Sequence, residues 1–273
     1  PTRRSSDLQG SSKPIGFVSV QQDITPLKET ERLKDRFVSN VSHELSTPLS
    51  VLTLLADNLD TLYDRLDNER RRKMVQDIQR HVQVLNDLVD DILQVSRLDN
   101  QTSALKRQPV DLVQLVQEEI DRQQPLALGK RQSLTLCGVS QLVVIGNEGQ
   151  LRRTISNLIN NAIKYTTDRG SITCTCAIIN RDTDSDASWP GTDLLNGERW
   201  AAVRVIDTGI GIAPQDLPHI FERFYRVQDQ SSIRGTGLGL SIARELIERH
   251  SGHIAVASIP EQGSIFAFYL PLE

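Results

Sequence analysis

His43 stands in the run SHELSTPL, Ser42 to Leu49, with Glu44 beside it. An imidazole next to a carboxylate is equipped to act as a nucleophile whose proton the carboxylate accepts. A solvent-facing histidine near a tolerated proline accounts for the same residues without any chemistry. Pro48 removes one amide donor, and a bend just after His43 would couple helix motion to access at the imidazole. A second cluster lies in NLINNAIKYT, Asn157 to Thr166. Asn157 and Asn161 are four apart and share a helix face, with Lys164 on the neighbouring turn. An amide carbonyl suits a hard metal ion and a lysine suits phosphates. A helix cap or an internal amide network would satisfy the asparagines equally well.

Two glycine runs follow. Asp207-Thr208-Gly209-Ile210-Gly211 comes directly after the apolar stretch AAVRVI. A carboxylate at a strand end accepts hydrogen bonds only, which suits the exocyclic amino group of adenine. The glycines allow close backbone approach, although a plain turn uses them too. Gly235-Thr236-Gly237-Leu238-Gly239-Leu240 then opens a helix, where exposed amides and the helix dipole favour phosphate oxygens. The run has neither the dinucleotide spacing nor a Walker lysine. Between the two runs, polar residues Gln228 to Arg234 are suited to close over a nucleotide as a lid. Phe221 and Phe224 of FERFYR would anchor its base, leaving Arg223 or Arg226 to meet phosphates; core packing explains the phenylalanines equally well.

These residues need elements to position them. Thr25 and Pro26 read as a helix entry, and from Leu27 the chain is expected to be helical. Leu45, Leu49, Leu52, Ala56, Leu59, Tyr63 and Leu66 form one heptad seam. Val75, Ile78, Val82, Leu85, Val89, Ile92 and Ser96 form a second, with the turn expected at Asp67-Asn68-Glu69. Two such helices make an antiparallel hairpin, and two copies paired into a four-helix bundle bury both seams, so a homodimer is expected. Arg97 to Pro109 reads as a linker that lets the following domain swing. Beyond it, helices at 112–126, 148–165 and 238–250 alternate with strands at 133–137, 142–145, 171–179, 199–206, 254–258 and 265–270, a mixed α+β domain. Asn180 to Gly197 reads as a polar hairpin insertion. Ile15 to Val20 reads as one stray strand.

The 273 residues allow two domains. With 31 basic and 35 acidic residues, net charge -4, composition gives no case for a nucleic-acid binder. Aromatics are only 4%, so aliphatic side chains must fill the cores. No apolar run approaches the roughly 20 residues that span a bilayer. Cys137, Cys174 and Cys176 fit a reducing compartment, and they lack the further ligands a zinc site needs. The chain starts at Pro1 without an initiator methionine or signal-peptide pattern and reads as part of a longer protein.

In this order the motifs resemble those of the cytoplasmic catalytic portion of a sensor histidine kinase, across residues 27–273. SHELSTPL is similar to the phosphoacceptor box, NLINNAIKYT to the N box, and VIDTGIGI to the first glycine box. FERFYR and GTGLGLSIA are similar to the phenylalanine box and the second glycine box. Ile15 to Thr25, ending in Asp-Ile-Thr, resembles the exit of a PAS sensory domain. The resemblance implies residues 1–26 as linker and PAS remnant, 27–100 as a dimerisation and histidine-phosphotransfer domain, 101–106 as linker, and 107–273 as a catalytic domain. That domain would be a two-layer α+β sandwich of the histidine kinase and Hsp90-like ATPase fold, binding ATP and Mg²⁺.

Residue by residue, the resemblance implies that His43 takes the phosphoryl group, Glu44 is its acid/base partner, and Thr47 serves in dephosphorylating the partner response regulator. Asn161 would hold Mg²⁺. Asn157, Lys164, Tyr165 and Arg226 would lie by the nucleotide, and Asp207 would read adenine. Gly209, Gly211, Gly235, Thr236, Gly237, Leu238 and Gly239 would shape the pocket and lid. It also implies a cytoplasmic location for this part, with any membrane anchor upstream, and no direct contact with nucleic acid. Two positions depart from the family pattern: Ser46 replaces the usual arginine, and Asn147 follows Gly146 where aspartate is common. The first departure motivates a rival reading, a nucleotide-binding pseudokinase or scaffold without efficient autophosphorylation. An ATPase of the wider superfamily is a second rival, but it has no need of an exposed His-Glu pair.

Overall fold

The computed structural model describes residues 25–100, 106–180, 189–195, 199–227 and 237–272. The stray strand and PAS-like exit at 15–24, and the lid-like segment 228–234, lie outside the described residues. The described chain divides after His43 into two units. Two long helices come first, α1 (Thr25–Thr61) and α2 (Asn68–Asn100). Pro48 is accommodated inside an unbroken α1. Side chains before Val38 in α1 and beyond Leu93 in α2 lie outside the description.

The connection between the helices comes earlier than the sequence suggests. A single 3₁₀ turn at Tyr63–Arg65 follows α1, and Asp67 caps α2 by accepting the Arg70 N–H at 2.7 Å. Asn68 and Glu69 are thus the first turn of α2 and not the loop. Asparagine, aspartate and glutamate favour loops and helix starts alike, so their cluster marks the boundary but not its side. Arg71 fixes the corner: its Nε donates to the Tyr63 carbonyl at 2.9 Å and its guanidinium lies 4.2 Å from the Tyr63 ring centroid.

Each seam separates into two lines of heptad spacing. Leu45, Leu52, Leu59 and Leu66, with Ile78, Leu85 and Ile92, are half-buried. Leu49, Ala56 and Tyr63, with Val75, Val82 and Val89, are exposed, Leu49 at 58% and Tyr63 at 53%. The single chain therefore covers one line of each seam and leaves the other in water.

Residues 97–100, expected in the linker, continue α2, and the end of that linker pairs instead as a strand. β1 (Gln108–Asp111) runs antiparallel to β3 (Val143–Gly146) in a two-stranded sheet. Asp111 then caps α3 (Leu112–Gly129) by accepting the Val113 N–H at 3.0 Å. The main sheet has five strands in the order β2 (Ser133–Gly138), β4 (Ser171–Asn180), β5 (Arg199–Asp207), β7 (Gly263–Pro271) and β6 (His253–Ile259). Among the described strands only the β2–β4 pair is parallel.

Alternation along the strands sorts their side chains onto two faces. Ile172, Cys174 and Cys176 of β4 join Val203 and Val205 of β5 and Phe266 and Phe268 of β7 in the larger core. That core includes α3 and α4 (Glu148–Tyr165), the latter through Leu151, Ile155, Leu158 and Ile159. Burial pushes the thiols of Cys174 and Cys176 up to about 12, so both are packing groups and inert as nucleophiles at neutral pH. The opposite face carries a smaller core of Trp189, Leu195, Trp200, Ala202 and Tyr269. Trp189 and Leu195 come from the insertion between β4 and β5, which is thus more than a polar loop. Tyr269 donates its hydroxyl to the Pro190 carbonyl at 2.6 Å.

Candidate functional site

α4 sets out the first half of the site. Asn147 caps it by accepting the Gln150 N–H at 3.1 Å, and its amide also donates to the Lys106 carbonyl at 3.2 Å. A carboxylate could do the first but not the second. The departure from the usual aspartate therefore keeps the cap and adds a tie to the incoming chain. Ten residues on, Asn157 donates its amide to the carbonyl of Gly239 at 2.9 Å, joining α4 to the start of α5 (Gly239–Arg249). Asn157 thus shapes the site from behind. Asn161, one turn further, lines the pocket directly.

The second half comes from the end of β5. Asp207 is buried, and its Oδ1 accepts the Gly209 N–H at 2.8 Å. The Ser264 backbone N–H also donates to the carboxylate. Burial pushes the Asp207 carboxyl up from its ordinary value, and these two amides partly offset that push. The carboxylate is oriented by fixed donors while still facing the cavity. Two glycines make this possible. A side chain on Gly209 would stand 2.5 Å from the Tyr165 carbonyl, and one on Gly263 would stand 1.9 Å from that of Asp207. Gly263 also has φ +107, a conformation that only glycine adopts without strain.

The pocket between these halves encloses about 650 Å³ counting its open mouth. Asn161, Tyr165, Asp207, Gly211 and Arg226 line it among the expected residues. Ile212, Ile220, Val227, Leu240 and Phe266 add apolar walls, and Ser264 and Tyr225 add polar edges. An apolar slot with one oriented carboxylate suits a flat heterocycle bearing an amino group. Lys164 is not among the lining residues but contacts one of them, Tyr165. Its ammonium lies 3.3 Å from the Tyr165 hydroxyl and 4.8 Å from that ring's centroid. Burial, with the charges of Arg226 and Lys130, lowers its pKa to about 8.

The phenylalanine-box arginines take different places. Arg223 pairs with Glu245 of α5 at 3.0 Å, whereas Arg226 lines the pocket. Phe221 packs edge-on against Phe266. Phe224 has φ +66, and its N–H donates to the Gly237 carbonyl at 2.9 Å. Leu238 is buried, and Gly237 has φ +68. Gly235 and Thr236 lie outside the described residues. On α1, His43 is exposed, as its place off the seam requires, and Thr47 is exposed as well. Glu44 is half-buried, its Oε1 3.6 Å from Nη1 of Arg226.

Sequence reasoning missed Gly263, Ser264 and Tyr225. The first two are brought to Asp207 only by the β5–β7 register, which pairs Asp207 with Ser264. Local spacing carries no trace of that pairing, although a glycine before an alternating strand, Gly263-Ser264-Ile265-Phe266, hints at a close approach.

Two family models match the chain in succession. Residues 33–101 match the His Kinase A (phospho-acceptor) domain, and residues 146–273 match the histidine kinase-, DNA gyrase B-, and HSP90-like ATPase. The chain carries a histidine kinase catalytic core. Its relatives agree. The phosphate regulon sensor protein PhoR of Pseudomonas aeruginosa is 33% identical over 249 residues, which are 90% of this histidine kinase chain and 52% of that protein. This chain spans between 37% and 63% of the length of the curated relatives it matches.

Among solved structures, the Acinetobacter baumannii histidine kinase AdeS shares the fold of this core with a TM-score of 0.63 at 21% identity. It covers 85% of this chain and 98% of its own. The full-length ShkA in complex with AMPPNP aligns at 26% identity and a TM-score of 0.58, over 84% of this chain and 45% of its own. Among the described residues of the kinase core no helix is long and apolar enough to cross a membrane.

Proposed function

We propose that the chain is an ATP-dependent autokinase that phosphorylates His43 and passes the phosphoryl group to an aspartate of a response regulator. The observation that carries this reading is the buried carboxylate of Asp207, oriented by two backbone amides toward the pocket that Asn161 and Arg226 also line. The order of the family matches, phosphoacceptor domain before ATPase domain, agrees with it. On this reading the phosphoacceptor domain is 27–100 and the ATP-binding domain 107–273.

Asp207 accepts the adenine amino group, and Tyr165 and the apolar walls hold the ring. Arg226 and Lys164 meet the phosphates, while Asn157 sets the start of α5 from behind. Gly209 and Gly211 let the chain close on the base, and Gly235 to Gly239 offer backbone amides to the phosphates. Among the described residues no three acidic, histidine or cysteine side chains gather as a metal site. An ion carried on phosphates needs only one or two protein oxygens, which the amide of Asn161 fits. Mg²⁺ there would neutralise phosphate charge. In the transfer, an imidazole nitrogen of His43 forms a bond to the γ-phosphorus as the bond to the ADP oxygen breaks. The electron pair leaves with ADP, and Glu44 accepts the imidazole proton.

Thr47, exposed one turn after His43, would serve dephosphorylation of the regulator, in which water attacks the aspartyl phosphate, the aspartate carboxylate leaves and inorganic phosphate is released. The Ile15–Thr25 segment, as a PAS exit, would deliver a signal into α1 on the cytoplasmic side. Incubation with γ-labelled ATP tests the reading: an acid-labile, base-stable label is expected, and a folded protein that binds ATP without labelling contradicts it.

The exposed heptad lines support a homodimer. Leu49, Tyr63, Val75, Val82 and Val89 would otherwise remain in water along two helices. Sedimentation at micromolar concentration should give a dimer, and Leu49→Glu with Val82→Glu should give a monomer. A wild-type chain that sediments as a monomer contradicts the assembly.

ATP affinity should also depend on pH through Lys164. Its pKa is lowered from 10.5 to about 8 in the free protein, and a polyphosphate favours the charged form. Binding therefore takes up a proton once pH exceeds about 8. Affinity should weaken as pH rises through that value, approaching about tenfold per pH unit, until the bound-state pKa is reached. Lys164→Arg should flatten the slope. Calorimetric titration at pH 7, 8 and 9 checks this, and a pH-independent wild-type affinity contradicts it.

A further inference from the structure

Arg226 faces two kinds of partner. It lines the pocket with Asn161 and Asp207, and its Nη1 lies 3.6 Å from Oε1 of Glu44. The two side chains are 31% and 30% exposed, so the pair is shielded on most sides yet open to exchange. A separation of 3.6 Å is a charge contact but too long for a hydrogen bond. A phosphate that engages the guanidinium at two points makes the stronger contact. Arg223, three residues earlier, pairs with Glu245 at 3.0 Å. Glu44 meanwhile directly follows His43 in the chain.

We propose that Arg226 is a positioning residue shared between nucleotide and Glu44. It holds the Glu44 carboxylate while the pocket contains no polyphosphate, and a bound polyphosphate takes the guanidinium over and releases the carboxylate beside His43. This rests on the pocket being an ATP site and goes beyond it. The consequence is ordered chemistry: while the guanidinium holds the carboxylate by charge, Arg226 and not the imidazole sets where that carboxylate rests. Proton acceptance is freed only when a phosphoryl group is there to be transferred. A second consequence is thermodynamic. Because ATP must displace Glu44 from Arg226, the carboxylate opposes ATP binding, and by linkage ATP opposes the ion pair equally.

A double-mutant cycle on the whole chain reads this coupling. All variants carry His43→Gln to prevent turnover, and the probes are Mg-ATP and adenosine. Glu44→Gln should tighten Mg-ATP binding roughly two- to fivefold, the scale of a partly exposed ion pair, and leave adenosine affinity unchanged. In the Arg226→Gln background, Glu44→Gln should change neither affinity. A general loosening of the fold would move adenosine and ATP together, which separates a structural role from the proposed one. No effect of Glu44→Gln on ATP, or the same effect with and without Arg226, overturns the proposal while leaving the ATP site intact. Failure of every folded variant to bind ATP overturns the ATP-site reading itself.

Discussion

Changing Asp207 to asparagine will remove most of the chain's affinity for ATP and its preference for adenine over guanine. In the wild type one carboxylate oxygen accepts the Gly209 N–H at 2.8 Å, and the group also accepts the Ser264 N–H. Asparagine can keep one acceptor in that arrangement, but its NH₂ must then turn toward either a backbone amide or the adenine amino group. Donor faces donor in both orientations. Leaving a buried polar pair mismatched costs about 3 kcal/mol, or roughly a hundredfold in affinity. Guanine presents an acceptor where adenine presents its amino group, so GTP should lose less or gain. Titration of both nucleotides checks this, and an unchanged ATP affinity contradicts the role of Asp207. The acid limb gives a second reading of the same group. Because burial raises the Asp207 carboxyl, its proton returns at a higher pH than for an ordinary aspartate, and ATP affinity should begin to fall there.

The pocket's two halves differ in how far the sequence discloses them. α4 was legible to the residue, because a capped, strongly periodic helix declares its ends and its faces: Asn147 caps it, and Glu148 to Tyr165 is the span expected. Asn161 on that helix and Asp207 at a strand end do reach one pocket. Asn157 and Lys164 share the helix but reach the site through neighbours, Asn157 through the Gly239 carbonyl and Lys164 through Tyr165, a distinction of one turn that spacing alone does not resolve. Gly263 and Ser264 were illegible for another reason. They act across the β5–β7 ladder, some 56 residues from Asp207 along the chain, and only the register Asp207↔Ser264 brings them there.

Arg223 and Arg226 illustrate the same limit. Three residues apart in one basic-aromatic run, they are equivalent as sequence, yet a salt bridge to α5 claims the first and the pocket takes the second. β1 was hidden within the linker because Gln108–Asp111 is too short and polar to show a strand period. Its pairing with β3 is what orders it. The insertion after β4 hid its tryptophan anchor among polar neighbours. Burial of Trp189 and Leu195 on the sheet's second face is a tertiary effect.

On the proposed function the exposed imidazole of His43 is the covalent acceptor, so its removal carries the largest effect of all. His43→Gln keeps a polar side chain on an exposed helix face, where substitutions leave stability nearly unchanged. The decisive measurement is a time course of label incorporation from γ-labelled ATP with Mg²⁺, wild type beside His43→Gln, followed by addition of a response regulator. Acid-labile, base-stable label that chases onto the regulator is expected on wild type, and none on His43→Gln, which still binds ATP. Stable labelling of His43→Gln at the wild-type rate would contradict the role of His43, and a wild type that binds ATP yet never labels would mark the chain as a nucleotide-binding pseudokinase.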